Sequence, residues 1–181
     1  MIEIRIHGRG GQGAVVAADL LALAFSKEGK FVQSFPSFGP ERRSAPLATF
    51  ARVDDTPIRL RCEIYNPDHL LVMDCSLLTS LDITAGLKEG GCVVVNSRRN
   101  AASFGLSDKF KVATIDANAI AIEHNLGTKT NPIANTTMLG AFARTTGLIS
   151  IGAVVESIRE TITIRTEANI AAARESYDKT F

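Results

Sequence analysis

Three glycines near the N-terminus have the spacing of a phosphate-binding loop. Gly8, Gly10 and Gly13 follow the alternating residues 2–7 and precede an Ala- and Leu-rich stretch. Glycines let backbone N–H groups come close to a phosphate, and the start of a helix favours negative charge. The pattern predicts strand, glycine loop and helix in that order. A phosphorylated ligand is one possible occupant of the loop.

The acidic residue that usually accompanies such a loop is missing. Dinucleotide-binding proteins hold the ribose hydroxyls with an acid at the end of the second strand. Here that position is occupied by Ser34-Phe35-Pro36-Ser37, and Glu41 comes several residues later. A classical NAD site is therefore disfavoured. Two interpretations stand beside it: a site for another phosphorylated ligand or an interface, and a glycine turn with a purely structural role.

Arginines are concentrated at the same expected edge of the sheet. Arg9 lies inside the glycine loop, and Arg42 and Arg43 follow the second predicted strand. Guanidinium groups bind phosphate oxygens through paired hydrogen bonds, so the three residues suit a polyphosphate. Alternatively, Arg42 and Arg43 are solvated charges or salt-bridge partners of another chain. Arg98 and Arg99, after a later strand, present the same two possibilities.

Residues for unaided catalysis or for metal binding are not apparent. The sequence has no G-x-S-x-G nucleophile motif and no convincing pair of carboxylates. Cys62, Cys75 and Cys92 lack C-x-x-C spacing and are expected to be small core residues. His7 is expected to be a packed residue at the end of a strand. We predict no catalytic residue and no metal site within this chain.

The composition excludes several classes of protein. The 181 residues predict one domain spanning 1–181. Lys and Arg total 20 against 19 Asp and Glu, a balance that argues against a dedicated nucleic-acid binder. The apolar runs are strand-sized, far below the ~20 residues of a membrane span, and no secretory signal precedes the first strand. No membrane association is expected, and the cytoplasm is the expected location.

The hydrophobic periodicity predicts an α/β fold. The predicted strands are residues 2–7, 31–35, 47–53, 58–62, 69–73, 91–95 and 112–115. The predicted helices are residues 14–28, 117–125, 135–146, 152–161 and 166–178. The alternation predicts a Rossmann-like, doubly wound, mostly parallel sheet, with an antiparallel hairpin turning at residues 54–57 and a C-terminal helical segment. The strand at 31–35 is expected to run parallel to the first.

Two further features concern the edge of the sheet. Asp74, Asn96 and Asp116 each follow a predicted strand, where an α/β sheet commonly places its ligands. Residues 36–46 contain three prolines and no periodicity. This stretch is longer than the usual connection of about 4–6 residues, which favours a functional or interface loop.

Two long motifs connect the chain to a known family. Residues 7–15 read HGRGGQGAV and residues 35–46 read FPSFGPERRSAP. In this order they resemble the gamma subunit of 2-oxoacid:acceptor oxidoreductases, the family of pyruvate:ferredoxin oxidoreductase. The likeness extends over nearly the whole chain, including residues 72–74 and 131–140. Ser44 and Leu47 depart from it, because the family pattern suggests Gly and Val there.

The resemblance implies a complex that oxidatively decarboxylates a 2-oxoacid to its acyl-CoA. Thiamine diphosphate, Mg and iron–sulfur clusters would belong to alpha, beta and ferredoxin-like delta partner subunits, with ferredoxin or an NAD-linked acceptor reached through them. This chain would contribute to coenzyme A binding and to assembly, without turnover of its own. A purely structural docking subunit is the first alternative, and a free-standing NAD-dependent reductase the second.

The resemblance also implies a coenzyme A site, because in fused members of the family the domain similar to this chain helps bind the coenzyme. The missing ribose-binding acid agrees with this, since arginines suit the 3′-phosphate of coenzyme A better than a carboxylate does. Carried over by motif, the cofactor-binding residues are Gly8, Arg9, Gly10, Gly11, Gln12, Arg42, Arg43 and Asn135.

Overall fold

A computed structural model describes residues 1–37 and 44–180, in which strands and helices alternate before three consecutive helices end the chain. The strands are β1 (Ile2–Arg9), β2 (Phe31–Pro36), β3 (Pro46–Asp54), β4 (His69–Val72), β5 (Cys92–Asn96), β6 (Lys111–Ile115), β7 (Gly127–Thr128) and β8 (Asn131–Pro132). The α-helices are α1 (Ala14–Lys27), α2 (Leu77–Ser80), α3 (Ala117–Glu123), α4 (Asn135–Thr146), α5 (Ile151–Thr161) and α6 (Thr166–Lys179). A 3₁₀ helix covers Ala101–Phe104.

The main sheet is mostly parallel, as the alternation of elements predicts. Its strand order is β2-β3-β1-β4-β5-β6, and β1, β4, β5 and β6 run parallel to one another. Strand β3 lies antiparallel between β1 and β2. Strand β2 therefore has the predicted direction, parallel to β1, without being adjacent to it. Strands β7 and β8 form a separate antiparallel hairpin. The predicted Rossmann-like α/β fold class is confirmed.

The predicted strand at residues 58–62, and with it the hairpin turning at 54–57, is wrong. Both edges of β3 are already paired, one with β1 and the other with β2, so a further strand has no edge of β3 to join. Side chains instead bind carbonyls in this segment and directly after it. Gln33 donates to the carbonyl of Leu60 at 3.0 Å, and Arg52 donates to that of Glu63 at 3.3 Å.

The main core lies between one face of the sheet and the helices α1, α4, α5 and α6. Alternate residues of β1, Ile4 and Ile6, point into it and are fully buried. Helices α4 and α6 cross very closely at Gly140. A Cβ on this residue would lie only 1.9 Å from the carbonyl oxygen of Ala173. Only glycine permits this approach, which positions α4 and its N-terminus against the rest of the helical layer.

The opposite face of the sheet carries a smaller apolar cluster, which includes Leu70, Val93 and Leu77. It covers β4 and β5 and leaves the neighbouring part of β1 and β3 to irregular segments. No helix within the described ranges is long and apolar enough to cross a bilayer.

The cysteines fit the predicted core only in part. Cys92 is buried in β5 as expected, Cys75 is half-buried and Cys62 is exposed, so the expectation is wrong for Cys62. The reason is that Cys62 belongs to the segment that forms no strand.

Candidate ligand site at the glycine loop

Strand β1 ends in the glycine loop, and the first glycine has a packing role. Gly8 is buried within β1, and a Cβ there would lie 3.2 Å from the Cβ of Ala14. The missing side chain therefore lets α1 begin directly against the strand. Gly8 therefore has a structural role in the loop and does not line the site.

The turn itself is closed by Gln12. Its Oε1 accepts a hydrogen bond from the backbone N–H of Arg9 at 2.8 Å, and its own N–H donates to the carbonyl of Arg9 at 3.0 Å. Gly11, between them, has a φ of 95° that side-chain-bearing residues rarely adopt. The side chain of Gln12 thus stabilises the loop conformation.

Gly10 continues the pairing of β1 with β3 into the proline-rich loop. It donates to the carbonyl of Ala45 at 2.9 Å and accepts from the N–H of Ser44 at 3.0 Å. Ser44 has a φ of 66°, a left-handed conformation that favours glycine, which is the residue expected there from the family pattern. The end of the proline-rich loop is therefore tied to the glycine loop.

Gly13 brings two helices together. It precedes α1 with a φ of 77°, and a Cβ on it would lie 2.6 Å from Nδ2 of Asn135, the first residue of α4. Asn135 is 5% exposed, and its Oδ1 accepts from the N–H of Thr136 at 2.9 Å. That bond turns Nδ2 towards Gly13, where it meets no acceptor within the described residues.

The electrostatics at this point favour an anion. Neither α1 nor α4 has a side-chain cap or an acidic residue in its first turn. Each helix of this length presents about half a positive charge and unpaired N–H groups at its N-terminus. Two such ends and the free amide of Asn135 converge on Gly13. The arrangement can bind a phosphate or carboxylate oxygen.

Arg9 lies beside this site, and its guanidinium has partners within the chain. Nε donates to Asp74 at 2.7 Å, Nη2 to the hydroxyl of Ser76 at 2.9 Å, and Nη1 to the carbonyl of Ser44 at 3.2 Å. Burial disfavours ionisation of Asp74, but hydrogen bonds from Ser76 and Arg9 outweigh it and keep the pKa of this carboxyl below its usual value. Arg9 links the glycine loop, the proline-rich loop and the end of β4.

The other strand-end side chains also have structural partners. Asn96 donates to Asn118 at 3.0 Å and accepts from the N–H of Ala117 at 3.1 Å, at the start of α3. Asp116 caps the same helix and pairs with Arg98 at 2.7 Å. These groups stabilise the ends of β5 and β6 and the start of α3. The part of the sheet edge that remains available for a ligand is therefore the end of β1.

The structure brings six of the eight predicted site residues together, namely Gly8, Arg9, Gly10, Gly11, Gln12 and Asn135. Arg42 and Arg43 lie outside the described residues. Sequence reasoning missed Asp74 and Ser76 as the partners of Arg9, and it left out Gly13, which the 8-10-13 spacing could have included. No group of three or more His, Cys, Asp or Glu residues within ranges 1–37 and 44–180 could hold a metal ion.

Comparison with known proteins identifies the class of this fold and site. A family model for pyruvate ferredoxin/flavodoxin oxidoreductase matches residues 3–179. The chain is 50% identical to the pyruvate/ketoisovalerate oxidoreductases common subunit gamma of Thermococcus kodakarensis, covering 99% of this chain and 97% of that one. It is 51% identical to the pyruvate synthase subunit PorC of Methanothermobacter marburgensis, again covering 99% and 97%.

Solved structures agree. Pyruvate oxidoreductase subunit PORC of Thermotoga maritima superposes with a TM-score of 0.84 at 34% identity, covering 99% of this chain and 97% of that one. A 2-oxoglutarate:ferredoxin oxidoreductase of Magnetococcus marinus, solved with 2-oxoglutarate, coenzyme A and succinyl-CoA bound, has a TM-score of 0.73 at 20% identity. That likeness covers 98% of this chain and 30% of the other, and it concerns the fold alone.

The chain belongs to the pyruvate ferredoxin/flavodoxin oxidoreductase family. Within it, the chain is a subunit of the gamma type, matching such subunits over nearly their whole length.

Proposed function

We propose that this gamma-type chain completes a thiamine diphosphate-dependent complex that oxidatively decarboxylates a 2-oxoacid to its acyl-CoA. The observation that carries this proposal is that the chain is 50–51% identical to gamma and PorC subunits over 97% of their length. As one 1–181 domain of a cytoplasmic assembly, it would join alpha, beta and delta subunits. Thiamine diphosphate, Mg and the iron–sulfur clusters would reside on those partners, with ferredoxin or an NAD-linked acceptor beyond them.

The chain's own contribution would be to bind coenzyme A at the glycine loop. The N-termini of α1 and α4 and the free Nδ2 of Asn135 converge on Gly13, which supports binding of an anionic phosphate oxygen there. Arg42 and Arg43 immediately precede Ser44, whose N–H is bonded to Gly10, so their place in the sequence suits a second phosphate contact. Coenzyme A is the ligand to test first, since an oxidoreductase of similar fold was solved with it bound.

Each group would have a limited role. The uncapped N–H groups and the Asn135 amide would hold phosphate oxygens, and the arginines would add charge-assisted hydrogen bonds. Gly8, Gly10, Gly11 and Gln12 would maintain the loop conformation. Arg9, already bonded to Asp74, would hold the loop in place and add positive charge beside it. None of these residues would take part in bond breaking.

Calorimetric titration of the reconstituted complex with coenzyme A tests the site. Arg42→Ala/Arg43→Ala and, separately, Asn135→Ala should each weaken affinity about tenfold or more, because hydrogen bonds to charged groups contribute about 1.5–3 kcal/mol. Asn118→Ala removes an exposed amide of the same sheet edge and serves as the matched control. Unchanged affinity in the first two variants would remove those residues from the site.

A structural docking subunit is the second candidate, because the guanidinium of Arg9 is held by Asp74, Ser76 and Ser44 rather than left free for a ligand. It predicts that loop substitutions reduce assembly while leaving the coenzyme A affinity of the remaining complex unchanged. Arg98→Ala/Arg99→Ala compares the other tandem arginine pair. A loss of coenzyme A affinity in this variant would place the phosphate site at the end of β5 instead.

A further inference from the structure

A second concave site lies on the face of the sheet opposite the helices. It is an open pocket of about 440 Å³. Its floor is formed by alternate residues of β1 and β3, Arg5, His7 and Phe50, and its walls by the irregular segments around Tyr65 and Leu81. The glycine-loop site uses none of these residues.

Hydrogen bonds from the floor hold both walls of the pocket. Nη2 of Arg5 donates to the carbonyls of Ile83 and Ala85, each at 2.8 Å, and Nη1 donates to that of Ile64 at 3.4 Å. The guanidinium of Arg5, within β1, thus joins two segments that do not pair with the sheet. The chain's own hydrogen bonds therefore anchor both walls of the pocket to its floor.

His7 places an unused donor on the pocket floor. Its Nε2 accepts from Nε of Arg5 at 3.0 Å, so in the neutral ring the proton resides on Nδ1. Burial, reinforced by the charge of Arg5, lowers the pKa of His7 to about 4, which keeps the ring neutral near pH 7. Nδ1–H has no acceptor within the described residues, so an entering oxygen would satisfy it.

The rest of the pocket combines apolar surface with negative charge. Phe50 and Leu77 are buried in its lining, while Tyr65 and Leu81 on its rim are 66% and 46% exposed. Large apolar side chains exposed around a concave site are typical of protein contacts rather than of small-ligand sites, where the ligand is enclosed.

The carboxylates of the rim define the charge of a partner. Glu63 and Asp82 line the pocket, and neither forms a salt bridge within ranges 1–37 and 44–180. Among the described residues, the Glu63 carboxylate accepts from the hydroxyl of Ser37 at 2.7 Å, and the exposed Asp82 accepts from the hydroxyl of Thr84 at 3.1 Å. The hydrogen bonds of Arg5 go to backbone carbonyls, while its charge also acts on Asp82; in the lining of the pocket the two carboxylates still outnumber this one guanidinium. A cation would therefore complement this rim.

We propose that the pocket receives an apolar side chain of another subunit of the oxidoreductase, next to a lysine or arginine that faces Glu63 and Asp82. The apolar side chain packs against the accessible surfaces of Leu47, Tyr65 and Leu81, and an oxygen of the same segment accepts from Nδ1–H of His7. The proposal rests on the proposed function for the existence of that subunit. It adds the surface through which the subunit binds and the chemistry of the segment that binds it.

Co-expression of the tagged full-length chain with the other subunits of its oxidoreductase tests this surface. Leu81→Asp and Asp82→Lys change the exposed rim, so the fold should be retained, which thermal unfolding checks. The matched controls are Ile164→Asp, at a side chain 77% exposed outside the pocket, and Asp108→Lys, also exposed. Retention of the subunits is measured on the tagged chain at increasing salt, with the stoichiometry checked by ultracentrifugation.

We expect each of the two variants at the pocket rim to weaken retention of the other subunits about tenfold or more, because the pocket would lie at the centre of the interface. Both controls should behave like wild type. Asp82→Lys should also reduce the salt dependence of assembly. Equal retention by rim and control variants would overturn the proposal. So would self-association of the isolated chain that Leu81→Asp abolishes, since the occupant would then be a second copy. If the wild-type chain retains no other subunit, the proposed function itself fails.

Discussion

Gly13 and Gly11 allow the geometry of the glycine loop to be tested by a matched pair of substitutions. Both have left-handed φ angles, 77° and 95°, so alanine strains the backbone at each, by about 1 kcal/mol after allowing for the stiffer unfolded chain. The surroundings differ. A Cβ at position 11 has no heavy atom within 4 Å, whereas one at position 13 lies 2.6 Å from Nδ2 of Asn135.

The contact with Asn135 sets the size of the difference. An ordinary van der Waals contact begins at 3.4 Å, so the amide must retreat by 3.4 − 2.6 = 0.8 Å. Asn135 is buried and its Oδ1 is bonded to the N–H of Thr136, which opposes this movement. Overpacking of this kind costs about 1–3 kcal/mol. We therefore expect Gly13→Ala to lower the free energy of unfolding by about 3 kcal/mol in total, and Gly11→Ala by about 1 kcal/mol.

Urea unfolding of the full chain, followed by circular dichroism, measures both values. The double variant Gly13→Ala/Asn135→Ala removes the obstructing amide, so it should be less destabilised than the sum of its single variants, by about 1–3 kcal/mol. Equal losses for the two glycine variants, or strict additivity in the double variant, would refute the argument that Gly13 is required by the approach of α4.

Three other predictions concern pH, helix packing and the proline-rich loop. Because the pKa of His7 is about 4 in the folded chain against 6.5 ordinarily, the unfolded chain binds a proton between these values that the folded chain does not. The free energy of unfolding should therefore fall by up to about 3 kcal/mol as the pH drops through this window and be fully recovered above it. His7→Gln should flatten that part of a pH series of urea titrations, with a contribution of the same sign remaining from His69, whose pKa burial also lowers; a slope like that of wild type would contradict the prediction. Gly140→Ala should lower the melting temperature by about 10 °C, because its Cβ would meet a backbone carbonyl of α6, while Gly152→Ala on α5, with no close neighbour, should not; calorimetry on both variants distinguishes them. Ser44→Gly should leave the free energy of unfolding unchanged or raise it by up to about 1 kcal/mol, since it relieves a left-handed φ; a loss in urea titration would show that the hydroxyl is needed.

Elements whose signals are local could be predicted closely. The helix predicted at 135–146 has the bounds of α4, and the one at 14–28 ends one residue after α1. In both, helix-forming residues end at a glycine with positive φ, Gly29 or Gly147, so the stop depends on the backbone itself.

Elements that depend on pairing were harder to predict. The alternation of residues 58–62 suits a strand, but β1 and β2 take both edges of β3. The short hairpin of β7 and β8 has two-residue strands, too short to give a periodic signal. Periodicity reports which residues could pair, whereas the sheet order decides which of them do.

The same division applies to the site. The spacing of the glycines, the absence of a ribose-binding acid and the family motifs are properties of the sequence, and they predicted a phosphate-binding loop at the end of β1. The sequence could not assign Asp74 as the partner of Arg9, or place Asn135 against Gly13, because these residues lie 65 and more than 100 positions apart. Local propensity and motif spacing act along the chain, so they can be read directly. Hydrogen bonds and close contacts between distant residues exist only once the sheet and its helices have packed.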